Sequence, residues 1–482
     1  MAERLLSARQ LEVLELLAKG LVNREIAGVL GVAPATVKRH VAMLIEALGV
    51  KNRTEAATVL LKRGAARLVA SPEHTVPGFG ERPAIAVLPF DNPADDPDQQ
   101  YFVDGLVEDL TTRLASWRWF PVVARNSAFA TRDRDLDAAA LSRELGAAYL
   151  IEGSVRRDEG RVQIDLRLVE GTRGEIVLHE TFGGSLGDVF ALQDEAVERI
   201  VAALYPALFH VEGLRAGRRR PHDLNAWECL QRGVHVGWGR TREALAEARS
   251  LFQRAHELDP GFAQPLTCLA GAHIAELTMG FSAAPQESLD QALACAKRAL
   301  ELDDCDAAAH FALSGALFLK GRVADAEAAA WRTLELDPSF ARAYWGLSLT
   351  RRTPDQADEA VALLEKAIRL SPQDPMLPEF HTYLASAHFA AGRDQQARAE
   401  AEQALRLHPE TPFAQGLVAA AEAHLGHREE AAAALEALLA LDPNHQPDPL
   451  RLLHPAPLVD RYVHGLRMAG FVPDRRDAQR ST

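Results

Sequence analysis

Glu335-Leu336-Asp337-Pro338 is a four-residue phrase that the chain repeats. Its variants are Glu257-Leu258-Asp259-Pro260, Glu301-Leu302-Asp303-Asp304, Arg369-Leu370-Ser371-Pro372, Arg406-Leu407-His408-Pro409 and Ala440-Leu441-Asp442-Pro443. In chain order their last residues stand 44, 34, 34, 37 and 34 apart. Twelve residues before each end there is an alanine: Ala248, Ala292, Ala326, Ala360, Ala397 and Ala431. A fixed period of this length marks stacked supersecondary units, none of which buries its apolar face alone. A small residue at a fixed place in each lets two helices cross closely. The one long spacing implies an insertion, which residues 278–287 supply with Gly280 and Pro285.

Working outward, 482 residues suggest about three domains at roughly 150 residues each. A chain 48% hydrophobic and 25% charged is globular rather than disordered. The net charge of −14 is uneven. Residues 1–66 carry four lysines and six arginines against six glutamates, a net +4, which leaves −18 on the remainder. A basic head on an acidic body points to nucleic acid at the head. Cys229, Cys268, Cys295 and Cys305 form no C-x-x-C pair and have no histidine at metal-ligand spacing. They read as reduced thiols. Signal-peptide features and apolar runs of about 18 residues are both missing, so the expected location is the cytoplasm, with no membrane partner.

In the head, Ser7 and Gln10 have capping-box spacing before Leu11, Val13, Leu14, Leu16 and Leu17. Gly20 ends that helix. Asn23 caps a second, carrying Ile26, Ala27 and Leu30, and Gly31 breaks it. Pro34 fits the first turn of a third helix, which runs through Val37, Val41, Leu44, Ile45 and Leu48. A fourth begins near Thr54. The third helix then has an outer face of Thr36, Lys38, Arg39 and Ala42. A DNA major groove admits one such helix, where Lys or Arg donates to base edges or phosphates.

Leu6-Ser7-Ala8-Arg9-Gln10-Leu11, Asn23-Arg24-Glu25-Ile26-Ala27, Thr36-Val37-Lys38-Arg39-His40-Val41 and Arg53-Thr54-Glu55-Ala56 resemble the LuxR-type helix-turn-helix. The resemblance implies double-stranded DNA as a partner, with a homodimer on a two-fold site. It places Lys38 and Arg39 at bases, and Thr36, Asn23 and Lys51 near phosphates. Two positions depart from the pattern. Ala33 stands where a serine cap is usual, and Ala47 replaces a lysine that can reach a phosphate.

Residues 67–83, with Pro72, Pro77, Gly78, Gly80 and Pro83, read as a linker. Residues 84–204 read as a mixed α/β domain. Strands are expected at 84–90, 120–124, 148–155, 161–169 and 175–182, with helices at 104–115, 136–145 and 189–204. The fourth strand alternates, Val162, Ile164, Leu166 and Leu168 facing inward. Val87-Leu88-Pro89-Phe90, Tyr101-Phe102-Val103-Asp104-Gly105-Leu106 and Glu152-Gly153-Ser154-Val155-Arg156 resemble the TolB-N-terminal-like domain, which implies a fold and no catalytic residues. Asp133, Asp135, Asp137 and Glu144 have EF-hand spacing, but Ala138 stands where that loop needs glycine. Asp137 is better explained as a helix cap. Gly183-Gly184-Ser185-Leu186-Gly187 lacks the Lys-Ser/Thr of a phosphate loop. No cofactor, metal or catalytic residue is therefore expected, and the chain does not read as an enzyme.

Residues 222–445, with their 34-residue period, resemble about six tetratricopeptide (TPR) units. That resemblance implies a superhelix lined on its inner face by the first helix of each unit. Phe311, Arg342, Trp345, Arg352 and Phe389 are expected on this groove, facing a protein or peptide partner. Residues 446–482 read as a proline-rich stretch, an amphipathic capping helix and a polar tail. The expected whole is multidomain and mainly α: an N-terminal four-helix HTH bundle, a small mixed α/β domain and a C-terminal TPR α-solenoid. The function expected of it is transcription regulation, the body receiving a protein or small-molecule signal. The alternative is a TPR scaffold whose head serves mainly for dimerisation.

Overall fold

A computed structural model describes residues 37, 41, 82–93, 97–132, 134, 136–158, 161–185, 189–220, 224–351, 354–447, 450 and 452–472. The chain divides into two compact units, Met1–His74 and Thr75–Thr482. In the first unit Val37 and Val41 are helical and buried, one helical turn apart, as the inward side of the third head helix requires. Asn23, Thr36, Lys38, Arg39 and Lys51 lie outside the described residues, and so do Asp133, Asp135, Arg352 and the tail beyond Val472.

The second unit opens with β1 (Ile85–Val87), α1 (Pro97–Ser116), α2 (Arg125–Phe129), α3 (Ala138–Leu145), β2 (Tyr149–Asp158), β3 (Arg161–Glu170) and β4 (Glu175–Ser185). The sheet order is β1-β2-β3-β4. β1 lies parallel to β2, and the other neighbours are antiparallel. In β3 the expected alternation holds: Val162, Ile164, Leu166 and Leu168 are buried, whereas Arg161, Gln163 and Arg167 are exposed. The strand expected at 120–124 is reduced to a bridge between Ile85 and Val122. Pro121 offers a carbonyl to Ile85 but has no N–H to extend a ladder, and α2 begins at Arg125. Asp137 caps α3 by accepting a hydrogen bond from the Ala140 amide.

The next helix, α4 (Val189–Gly217), runs well past the expected end at Leu204, with Pro206 inside it. Its apolar stripe continues through Ile200, Val201, Leu204, Leu208 and Phe209, all fully buried. That burial outweighs the one backbone hydrogen bond a proline removes.

Six helix pairs follow: α5 (Ala226–Gly237) with α6 (Arg242–Leu258), α7 (Gln264–Thr278) with α8 (Pro285–Leu302), and α9 (Ala307–Leu319) with α10 (Val323–Leu336). The remaining three are α11 (Ala341–Thr350) with α12 (Ala357–Leu370), α13 (Leu377–Ala390) with α14 (Asp394–Leu407), and α15 (Pro412–Leu425) with α16 (Arg428–Leu441). A single helix, α17 (Ala456–Met468), closes the array. The crossing alanines Ala248, Ala292, Ala326, Ala360, Ala397 and Ala431 are all buried, none more than 5% exposed. The recurring phrase ends every second helix. Asp259, Asp303, Asp337, Ser371, His408 and Asp442 are the C-caps, all with extended φ. Asp259 and Asp337 turn the chain by accepting from the amides two residues on, Gly261 and Ser339. Within units, Gly321, Gly392 and Gly426 take left-handed φ of 79°, 75° and 85° to reverse direction.

One apolar core runs from the sheet into the repeats. It joins Val87, Ile151 and Leu166 to Leu204 and Phe209 of α4, and these to Trp227, Leu230, Phe252 and Leu266. No helix among the described residues is long and apolar enough to cross a membrane.

Candidate nucleic-acid head and repeat groove

Side chains from the first helices of successive repeats make an aromatic row. Phe311 of α9 lies 5.3 Å from Phe340 and 6.4 Å from Trp345 of α11, ring centre to ring centre. Trp345 meets Tyr383 of α13 edge-on at 5.5 Å. The Trp345 indole N–H is buried and has no hydrogen-bond partner among the described residues. Burial pushes the Tyr383 hydroxyl up, so it stays protonated.

Phe311 and Trp345 are thus brought together, both only partly buried. Arg342 is elsewhere. It lies 3.7 Å from Asp374 and over the ring of Tyr205 on α4, so it serves the contact between α4 and the repeats rather than an open groove. Burial pushes the Tyr205 hydroxyl up to about 12. Phe389, expected to face a partner, is fully buried instead, with the Arg461 guanidinium 4.1 Å over its ring. The reason is α17: Arg461 reaches back to Asp394 through two 2.9 Å hydrogen bonds and covers Phe389.

The proline-rich segment before α17 reaches the row. His454 is 4% exposed. Its ring stacks on Tyr383 at 5.1 Å and lies 4.5 Å from Phe413 of α15. Ser386 Oγ stands 3.3 Å from His454 Nδ1. Leu453 joins the cluster holding Ile274 of α7, Leu313 of α9 and Leu349 of α11. The available signal was Leu452-Leu453-His454, an apolar step inside a polar stretch.

A second cluster joins the α/β part to the first repeat. Glu212 of α4 accepts from the Tyr149 hydroxyl at 2.5 Å, from the Trp227 indole at 2.9 Å and from Arg215 at 2.9 Å. Arg215 also donates to Glu170 of β3 at 2.6 Å. None of these residues leaves a buried polar atom unpaired, so the cluster reads as an anchor. Burial pushes the thiols of Cys229, Cys268 and Cys295 up, which disfavours the nucleophilic thiolate.

The family described as bacterial regulatory proteins, luxR family, matches residues 4–60. Tetratricopeptide repeat families match residues 279–334, 321–375 and 354–421. Putative adenylate cyclase 3 of Rhizobium meliloti (strain 1021) is 36% identical over 262 residues, which are 54% of this chain and 44% of that relative. The chain thus spans less than half the length of that relative. Spore germination protein GerE of Bacillus subtilis (strain 168) is 40% identical over 60 residues, 12% of this chain and 81% of that one. Among solved structures, YrrB, titled a TPR protein with an unusual peptide-binding site, covers 45% of this chain with 18% identity and a TM-score of 0.30. The TolB-like resemblance of residues 84–204 has weaker company: a TolB structure from Acinetobacter baumannii covers 26% of the chain at a TM-score of 0.20, which carries no argument. The repeats are tetratricopeptide repeats, and through its head the chain belongs to the luxR family of bacterial regulatory proteins.

Proposed function

We propose that this chain regulates transcription by binding double-stranded DNA through its head while its α/β and repeat body receives a protein or small-molecule signal. The match of residues 4–60 to the luxR family carries the reading. The burial of Val37 and Val41 agrees with it, because it leaves the opposite face of the third helix for DNA. On that face Lys38 and Arg39 donate to bases, while Thr36, Asn23 and Lys51 hold phosphates. Two heads on a two-fold site double the contact, so the DNA-bound form is a homodimer. The body, at −18, repels phosphates, which leaves approach to DNA to the +4 head. Mapping the genomic fragments that the intact chain retains tests this. The expected result is enrichment of a short motif with two-fold symmetry, and fragments retained at random would contradict it.

A second reading comes from the cyclase-named relative, whose larger part lies outside the matched region. On this reading the body is an input module that works with different outputs, a DNA-binding head here. Incubating the purified chain with ATP tests whether the activity in that relative's name extends to this chain. The proposal expects no cyclic AMP, and its formation would make this chain an enzyme.

A further inference from the structure

The strand β1 has parallel neighbours on both edges. Ile85 donates its N–H to the Pro121 carbonyl and accepts from the Val123 amide, both at 2.8 Å, around the parallel bridge to Val122. On the opposite edge the Ala84 carbonyl accepts from Tyr149, and the Leu88 amide donates to Ile151 of β2. The two faces of β1 differ as well. Ile85 and Val87 share a core with Leu106 and Leu110 of α1, whereas Ala86 and Leu88 share another with Leu141 of α3. The chain thus leaves β1 across one face, through α1 to Val122, and returns across the other face, through α3 to β2. A strand at which the order reverses in this way is a topological switch point. Open α/β sheets hold ligands in the crevice beyond the carboxyl end of such a strand.

A cavity of about 270 Å³ lies at that place. It is lined by residues 88–92, which follow β1, by Gln100 of α1, by Thr131, Arg132 and Arg134, and by Leu141 of α3. Small-molecule sites begin at about 300 Å³, so the occupant is small. The polar side chains are already held in position. Asp104 of α1 accepts from the Gln100 amide at 2.8 Å and from Arg132, whose guanidinium also lies 4.7 Å over the Phe129 ring. Arg134 pairs with Glu144 of α3. A guanidinium has five N–H groups, so neither carboxylate exhausts its arginine. The two arginine side chains are 35% and 47% exposed, which leaves both within reach of a ligand.

Two guanidinium groups in one small cavity favour an anion, and the number of acceptors decides which. A carboxylate offers two oxygens, which one arginine takes up bidentately. A phosphate offers three, enough for two arginines. Asp91 and Gln100 add acceptors that suit hydroxyl groups. We propose that this crevice binds a small phosphorylated polyol, with its phosphate on Arg132 and Arg134 and its hydroxyls on Asp91 and Gln100. The inference deepens the reading of the body as the receiver of a signal, and rests on it for the purpose of the site. Binding itself does not depend on DNA contact by the head.

Calorimetric titration of the full chain tests this, with ribose 5-phosphate as the probe in a phosphate-free buffer. The native chain is expected to bind the probe about tenfold more tightly than inorganic phosphate, and not to bind ribose. Arg134→Gln should weaken binding about tenfold and leave the melting temperature unchanged, because that side chain is half exposed. Arg134→Lys should recover part of the loss. The double variant Lys38→Ala, Arg39→Ala should bind the probe as the native chain does. No binding by the native chain, equal affinity for the probe and inorganic phosphate, or undiminished affinity in Arg134→Gln overturns the proposal. So does a loss confined to the double variant, which would put the phosphate on the head. Should Arg134→Gln fold poorly, hydrogen exchange on the native chain decides. The probe must slow exchange in residues 88–92 and 136–145, and unchanged exchange overturns the proposal. Duplex affinity with and without bound probe tests the signal reading separately, since no change there counts against that reading and not against the site.

Discussion

The hydroxyl of Tyr149, on the strand β2, donates a 2.5 Å hydrogen bond to Glu212 near the end of the helix α4. Both residues are buried, and Glu212 holds Trp227 of the first repeat through its other oxygen. One carboxylate therefore fastens the sheet, the long helix and the repeat array to each other. Burial first, then the nearby Glu212 charge, pushes the Tyr149 hydroxyl well up, so it remains a donor.

Glu212→Leu should leave the Tyr149 and Trp227 donors unmet and free one arm of Arg215. Removing one partner of a buried network costs about 3 kcal/mol. Tyr149→Phe removes one hydrogen bond and should cost about 1 kcal/mol. Urea denaturation of the two variants checks both the values and their order. Equal costs would mean that Glu212 is not the hub.

Asp306 caps α9, accepts from the Ala308 amide and from Thr267, and is fully buried. Burial pushes its carboxyl up to about 6, against the hydrogen bonds that favour its charge. The folded chain therefore keeps this proton up to about pH 6, whereas the unfolded chain releases it near pH 3.8. The folded state binds more protons inside that window, so this group's contribution to stability falls as pH rises from about 4 to about 6 and stays low above. Asp306→Asn, which still caps, should gain about 1–3 kcal/mol relative to the native chain between pH 4 and pH 7. Melting both proteins across that range checks it, and a pH-independent difference contradicts it.

Gly416 of α15 leaves the room that the Tyr462 side chain of α17 fills. A Cβ built there would stand 1.8 Å from the Tyr462 hydroxyl, which itself pairs with the buried His445. Gly416→Ala should push α17 outward and cost about 1–3 kcal/mol. Proteolysis in residues 456–468 should rise with it. A variant as stable and as resistant as the native chain would contradict the packing described.

Period and polarity made much of this architecture legible. The phrase ending at Pro338 located the pairs because its aspartates are C-caps, a local role that sequence spacing reports directly. The alternation in β3 was legible for the same reason. The end of α4 was not, because Pro206 reads as a stop and only the apolar contacts on both its sides carry the helix through. Nor was the fate of Phe389. Its burial depends on Arg461, 72 positions along the chain, and no local pattern reports such a contact. The nearness of Phe311 and Trp345 follows from their place in the repeat, whereas His454 lies outside any repeat and no period reports its contact with Tyr383.

The central claim is that the head touches DNA through Lys38 and Arg39. The direct test is the affinity of the intact chain, and of Lys38→Ala, Arg39→Ala, for duplex DNA at several salt concentrations. The account predicts binding that weakens steeply with salt, and a double variant that keeps its melting temperature but loses site-specific affinity by at least tenfold. Undiminished site-specific affinity in the double variant, or no binding by the native chain at low salt, would contradict it.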